Sequence, residues 1–176
     1  MEASAERRSE YLELIADIPK KNLVYIDESG IDMTIKKEHG WSLKGEIIPD
    51  KRSGKYYQRT NILAGLNEGQ AIAPLVFYGS CNTEFFNAWV EKFLIKALVP
   101  GQIVVLDNAS FHKSEKTIKL INSVQCQVVF LPPYSPDYNP IEKFWANMKR
   151  WIRKRIDQYP SLYETLVAFF VAPTYG

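Results

Sequence analysis

Three acidic residues carry the chemistry this chain could do: Asp27 in VYIDES, Asp107 in DNASFH and Glu142 in NPIEKFW, with thirty-four residues between the last two. Asp27 and Asp107 each follow a short apolar run, LVYI and IVVL, of the kind that forms a strand covered on both faces. In open α/β sheets functional groups gather outside the carboxyl ends of strands. If the two strands are neighbours, the two carboxylates meet at one edge of the sheet. Unrelieved, they repel, and one is pushed toward protonation. A hard divalent cation removes that conflict. Mg²⁺ prefers oxygen ligands, keeps several waters, and is commonly held by one or two carboxylates plus substrate phosphates. Two such ions about 3.5–4 Å apart serve an in-line displacement at phosphorus. Glu142 is the candidate third carboxylate for the second ion.

Each acid also has a plainer role open to it. Asn139-Pro140-Ile141-Glu142 reads as an N-cap, Pro at N1 and Glu at N3, a capping box in which the Glu satisfies only a backbone N–H. An Asp after a strand often just starts a turn. Glu28 competes with Asp27 as a ligand, although strand alternation points it to the opposite face. His112 is either a core or surface histidine or a group that touches phosphate near the site. Asp137, in a proline-rich loop, reads as a turn former. Ser29 and Ser110 lack a paired His and general base, which sets a serine hydrolase aside.

The elements that must position these residues can be read along the chain. Ala5 to Ile18 has helical spacing of Tyr11, Leu12, Leu14, Ile15 and Ile18, and Pro19 ends it. Leu23 to Ile26 is a buried strand. Gly30 to Gly54 is polar and glycine-dotted, predicting hairpins and loops. Tyr57 to Leu66 and Ala71 to Tyr78 predict two strands joined at Asn67-Glu68-Gly69. Pro74 marks the second as an edge strand. Thr83 to Leu98 predicts a helix stopped by Pro100-Gly101. Strand Ile103 to Leu106, helix Ser114 to Asn122 and strand Gln127 to Leu131 follow. PPYSPDYNP is then irregular. Helices run from Pro140 to Ile156 and from Leu162 to Val171. The order predicts an α/β domain, a mixed sheet with helices packed on it.

Composition bounds the rest. The chain has 176 residues, 46% hydrophobic and 24% charged, enough for one domain with a core. Its net charge of +2 says little, but Lys143, Lys149, Arg150, Arg153, Lys154 and Arg155 lie between Lys143 and Ile156 with no acid among them. Such a helix is either a solvated face or a polyanion-binding one. Trp145 and Trp151, on the same helix, read as packing residues. The apolar runs are too short to span a bilayer, and the N-terminus shows no signal-peptide core. Cys81 and Cys126 are isolated, which argues against zinc and disulfides and fits a reducing cytosol.

The motifs VYIDESG, HGWSLKGE, LDNASFHKS and above all LPPYSPDYNPIEKFWANMK resemble the catalytic domain of a DDE transposase of the mariner superfamily, in its bacterial insertion-sequence branch. The likeness covers about residues 22 to 156, and the thirty-four-residue gap fits that group. It implies a ribonuclease H-like fold, with Asp27, Asp107 and Glu142 as catalytic ligands of Mg²⁺, two ions in all, with Mn²⁺ able to substitute. It implies cleavage at the element's ends by water, then attack of the freed 3′-hydroxyl on target DNA, typically at a TA dinucleotide. It favours ligation over capping for Glu142. It makes Lys143, Lys149, Arg150, Arg153 and Lys154 DNA-binding candidates, with His112 and Asn108 as accessory residues.

The expected organisation is a helical lead-in over 1–21, the catalytic domain over 22–157 and an apolar helical tail over 158–176. Full-length relatives of that family place helix-turn-helix modules before the catalytic domain. About twenty residues precede the first strand here, so a separately encoded helix-turn-helix partner is expected. The other expectations are a homodimer on DNA, a cytoplasmic location at the nucleoid, and no membrane. Two other functions stand beside this one: a ribonuclease H-like nuclease not tied to transposition, and an inactive DNA-binding remnant.

Overall fold

Leu23, Val24 and Ile26 are apolar on consecutive sides of the chain, so their strand must be covered on both faces. In the computed structural model, which describes residues 5–31 and 59–172, they open β1 (Leu23–Ile31), the central strand of five. β2 (Thr60–Asn67) and β3 (Gln70–Tyr78) follow as a hairpin, then β4 (Ile103–Leu106) and β5 (Gln127–Phe130). The order across the sheet is β3-β2-β1-β4-β5. The β1–β2 and β2–β3 pairs are antiparallel, and β1–β4 and β4–β5 are parallel.

The hairpin turns where the sequence places it. Glu68 and Gly69 both take positive φ, at 47° and 81°, as a two-residue hairpin with the twist of its strands requires. Pro74 lies in β3, which is an edge strand, as its missing N–H demands. The register slips there between Leu63 and Gly65, opposite Ala73, whose φ is 49°. A bulge of this kind lets an edge strand carry a proline.

Helices cover both faces. One face receives α2 (Thr83–Trp89), a π-helical turn (Val90–Leu94), α3 (Ile95–Ala97) and α4 (Glu115–Ser123). Here Phe86, Trp89, Val90, Leu94 and Ile121 pack on Val24, Ile26, Val104 and Leu106. The other face receives α5 (Ile141–Arg155) and α6 (Leu162–Val171), which pack on Ile62, Ala64 and Leu66. α5 buries Ile141, Phe144, Trp145, Met148 and Ile152, spaced by three and four residues. Each such side chain stabilises the fold by about 1.5–3 kcal/mol relative to exposure. α1 (Ala5–Ala16) sets Tyr11 against Leu23, Val105 and Leu131 on that same face.

Several boundaries differ from the sequence reading. α1 stops at Ala16, two residues before Ile18. The single helix expected over Thr83 to Leu98 contains the π-helical turn. β1 does not end at Ile26 but continues through Asp27 to Ile31, because β2 goes on pairing with it from Tyr25–Leu66 to Ile31–Thr60. Most of the loop region expected from Gly30 to Gly54, the HGWSLKGE motif and Tyr57 lie outside the described residues. No described helix is long and apolar enough to cross a membrane.

Candidate active site

Parallel pairing puts the two aspartates side by side. Tyr25 is level with Val105, so two residues further along the neighbouring chains come Asp27 and Asp107. β4 ends at Leu106, so Asp107 stands just past a strand's carboxyl end. Asp27 stands where β1 leaves β4 but not β2. Glu142 enters from the first turn of α5. All three line one cleft of about 230 Å³, with Asn108, Ala109, Leu131, Pro132, Tyr134, Ser135, Pro136 and Asn139 as the remaining wall. Among the described residues no basic side chain lines it.

The cleft's third acid is free of the capping role. The helix begins at Ile141, one residue later than a capping box requires. Asn139 Oδ1 accepts from the Ile141 N–H at 3.4 Å, and its carbonyl accepts from the Glu142 N–H at 3.2 Å. The Asn139 N–H that a capping Glu would serve donates instead to the Pro136 carbonyl at 3.0 Å, and the exposed Glu142 side chain faces the cleft.

Asp27 and Asp107 sit in opposite electrostatic settings. Asp27 is mostly enclosed and accepts from the Trp145 indole Nε1–H at 3.1 Å. Burial first, then the charges of Glu28, Glu142 and Asp107, push its carboxyl up to about 7. Burial acts on Asp107 in the same direction, but the hydrogen bonds from His112 and the Ala109 N–H outweigh it and hold its carboxyl below the usual value. His112 Nδ1 lies 2.5 Å from Asp107 Oδ1, and Ala109 N donates to that same oxygen at 2.8 Å.

The wall of the cleft is tied down from both sides. Asn108 donates its side-chain amide to the Leu131 carbonyl, fastening the end of β4 to the proline-rich loop. In that loop Tyr134 is 71% exposed and holds φ at 54°, a strained value for a bulky residue. Below it, Arg8 of α1 grips the loop: its guanidinium pairs with Asp137, donates to Ser135 Oγ at 3.2 Å and lies 4.3 Å from the Tyr138 ring centroid.

Both accessory candidates, His112 and Asn108, are engaged by other groups of the protein. His112 is fully buried, and its two ring nitrogens face Asp107 and Glu28, so it does not reach a phosphate. Asn108 does line the cleft, but its amide N–H serves Leu131. Glu28 turns to the face opposite Asp27, as alternation requires, and meets His112 rather than the cleft. Trp145 is a packing residue, 2% exposed, and also the donor to Asp27. Arg8 had no signal in the sequence, because its partners lie some 130 residues away. Asp137 is in a short helical turn, and its pairing with Arg8 holds its carboxyl below the usual range.

The donor set suits a hard divalent cation. Three carboxylates open on one cleft, and one of them is driven toward protonation partly by the other two. Among the described residues no three His, Cys, Asp or Glu side chains already form a cage for an ion. An open set of oxygens matches Mg²⁺, which keeps waters and completes its shell with substrate phosphates. Along α5, Lys143, Arg150, Arg153 and Lys154 are exposed and Lys149 half-buried, and none is ion-paired among the described residues. Arg155 lies instead over the Trp151 ring, 4.5 Å from its centroid.

Comparison with known proteins bears on the family and the fold. Residues 22–163 match the family described as DDE superfamily endonuclease. A Sinorhizobium fredii protein (strain NBRC 101917 / NGR234), the uncharacterized protein y4pE/y4sA, is 36% identical over 55 residues, which are 31% of this chain and 38% of that protein. The Mos1 transposase in its paired-end complex with the left transposon end superposes with a TM-score of 0.78 at 19% identity, over 99% of this chain and 57% of that one. The Mos1 strand transfer complex gives 0.75 at 20% identity, over 97% and 54%. The intasome of simian T-cell lymphotropic virus gives 0.58 at 11% identity, over 85% and 47%. The chain thus spans little more than half the length of the Mos1 transposase chains it matches. At these identities the likeness establishes the fold, which is ribonuclease H-like: a mixed five-stranded sheet flanked by helices.

Proposed function

This chain belongs to the DDE superfamily endonucleases, and from that premise we propose that it is the catalytic part of an insertion-sequence transposase, which cuts DNA at the element's ends and joins them to target DNA. The observation that carries this reading is the acidic cleft shared by Asp27, Asp107 and Glu142, the last from the first turn of a helix whose exposed face is basic further along. These three acids are the catalytic residues and the ligands of Mg²⁺ or Mn²⁺, as two ions. Bound there, the cations would lower the charge on the scissile phosphate and favour ionisation of the attacking oxygen.

The chain's own side chains prepare that cleft. Asp107 is held ionised by His112 and the Ala109 N–H. Asp27 is oriented by Trp145 and is ready to lose its proton near neutral pH. Asn108 and the Leu131–Asn139 segment shape the wall against which the DNA strand lies. Lys143, Lys149, Arg150, Arg153 and Lys154 bind backbone phosphates, which adds affinity without sequence preference. Water attacks phosphorus as the 3′ oxygen leaves, and the freed 3′-hydroxyl attacks the target strand in the same manner. A homodimer on paired ends, a separately encoded helix-turn-helix partner and a place at the nucleoid in the cytoplasm complete the reading. Similar transposase structures include complexes with transposon-end DNA and with Mn or Mg.

The test is nicking of DNA that carries the inverted repeats flanking the gene. Wild type should nick only with Mg²⁺ or Mn²⁺, and Asp107→Asn should abolish nicking while the fold persists. Nicking by that variant at the wild-type rate would remove the site assignment.

A further inference from the structure

Behind the cleft runs a line of hydrogen bonds that the proposed chemistry does not use directly. Asp107 accepts from the N–H two residues on, which turns the chain back and brings the short helical turn Ser110–Lys113 beneath it. His112 is thereby carried into the core. Its ring packs against those of Phe86 and Phe111, each with a centroid 4.4 Å away. The far end of the turn is pinned as well. Ser114 Oγ accepts from the Thr117 N–H, and the Ser114 and Thr117 hydroxyls donate to Asn87 Oδ1 at 2.8 and 2.7 Å. A ring held this way has one orientation.

In that orientation Nδ1 faces Asp107 Oδ1 at 2.5 Å and Nε2 faces Glu28 Oε1 at 3.1 Å. Both partners are carboxylate oxygens, to which a ring N–H can donate on either side. Glu28 is only 19% exposed and does not line the cleft. Among the described residues, the hydrogen bonds to the Asp107 side chain both fall on Oδ1. Oδ2 is the oxygen left for a ligand.

Resting on the assignment of Asp107 as a cation ligand, we propose that His112, anchored by Glu28, is a positioning residue that fixes which oxygen of Asp107 is presented to the cation. Glu28 is then the anchor of the relay and not a ligand. The role is one that supporting residues play at many metal sites, where their loss costs about 10–100-fold in metal affinity.

The experiment is a Mn²⁺ titration of the full chain, without DNA, followed by electron paramagnetic resonance, alongside circular dichroism to check the fold. His112→Phe keeps an aromatic ring against Phe86 and Phe111 and removes both donors. It should weaken Mn²⁺ binding about 10–100-fold. Glu28→Ala should weaken it in the same direction, and Glu28→Gln, which still offers an acceptor oxygen to Nε2–H, should restore it. That rescue separates positioning from packing, and the Glu28 pair decides the matter if His112→Phe does not fold. Folded His112→Phe or Glu28→Ala protein with wild-type affinity, while Asp107→Asn has lost binding, would overturn the relay alone. Wild-type affinity in Asp107→Asn as well would instead remove the ligand assignment, and the relay with it.

Discussion

Asp27 and Asp107 are the same residue type, level with each other on neighbouring parallel strands, yet their surroundings push them in opposite directions. Asp27 is enclosed among carboxylates with the neutral Trp145 indole as its donor, and titrates near 7. Asp107 is more open and receives a buried histidine and a backbone N–H on one oxygen, which hold it down. The lesson is that adjacency in the sheet does not make the pair equivalent. One carboxylate is already ionised and aimed. The other gives up its proton readily only when a cation or a change in pH compensates.

The largest expected effect treats the two alike. Asp27→Asn or Asp107→Asn should each lower Mg²⁺-dependent nicking by about three decades, since several kcal/mol of charge stabilisation is lost. A surviving rate in one of them would show that the two are not joint ligands.

Stability without metal should separate them by sign. The folded value for Asp27 is raised from 3.8 to about 7, so its contribution is fully present below about 4 and is lost as pH rises through 7. The folded value for Asp107 is lowered, so its contribution is present above the ordinary Asp range and is lost as pH falls. In metal-free protein at pH 8, Asp27→Asn should therefore raise the thermal midpoint and Asp107→Asn should lower it. His112, raised to about 9 by its two carboxylates against the effect of burial, adds stability that is lost as pH rises through 9. Shifts of the same sign in both Asp variants, read by calorimetric scans, would end the contrast.

A smaller change sharpens it. Trp145→Phe keeps the ring between α5 and the sheet but removes the donor to Asp27. Mn²⁺ affinity should fall by about 10- to 150-fold, since a hydrogen bond to a charged group is worth about 1.5–3 kcal/mol. The basic face is the control. Replacing Lys149, Arg150 and Arg153 with Ala should leave both titrations unchanged and reduce the salt dependence of DNA binding, by about 0.9 in the log–log slope for each phosphate no longer neutralised.

The sequence shows well what depends on near neighbours. The Leu162–Val171 helix, the Glu68-Gly69 turn and the edge strand marked by Pro74 follow from local periodicity, turn chemistry and a missing N–H. The three acids were legible because strand ends and a long motif flag them. What was not legible depends on partners far along the chain. Trp145 and Asp27 are 118 residues apart, His112 and Glu28 are 84 apart, and Arg8 and Asp137 are 129 apart. No local pattern encodes those pairings. Local pattern alone left capping by Glu142 open for a finer reason: the Asn139 N–H is taken by the Pro136 carbonyl, a bond set by the fold of the preceding loop.

Glu142 therefore gives the most direct test of the central claim, that the acidic cleft is a cation-dependent centre for cutting DNA. The measurement is the rate at which wild type and Glu142→Gln nick plasmid DNA carrying the flanking repeats in Mn²⁺, with thermal midpoints recorded for both. Wild type should nick only with the metal, and Glu142→Gln should not nick, with a midpoint no lower than that of wild type. Equal nicking by the two proteins would contradict it.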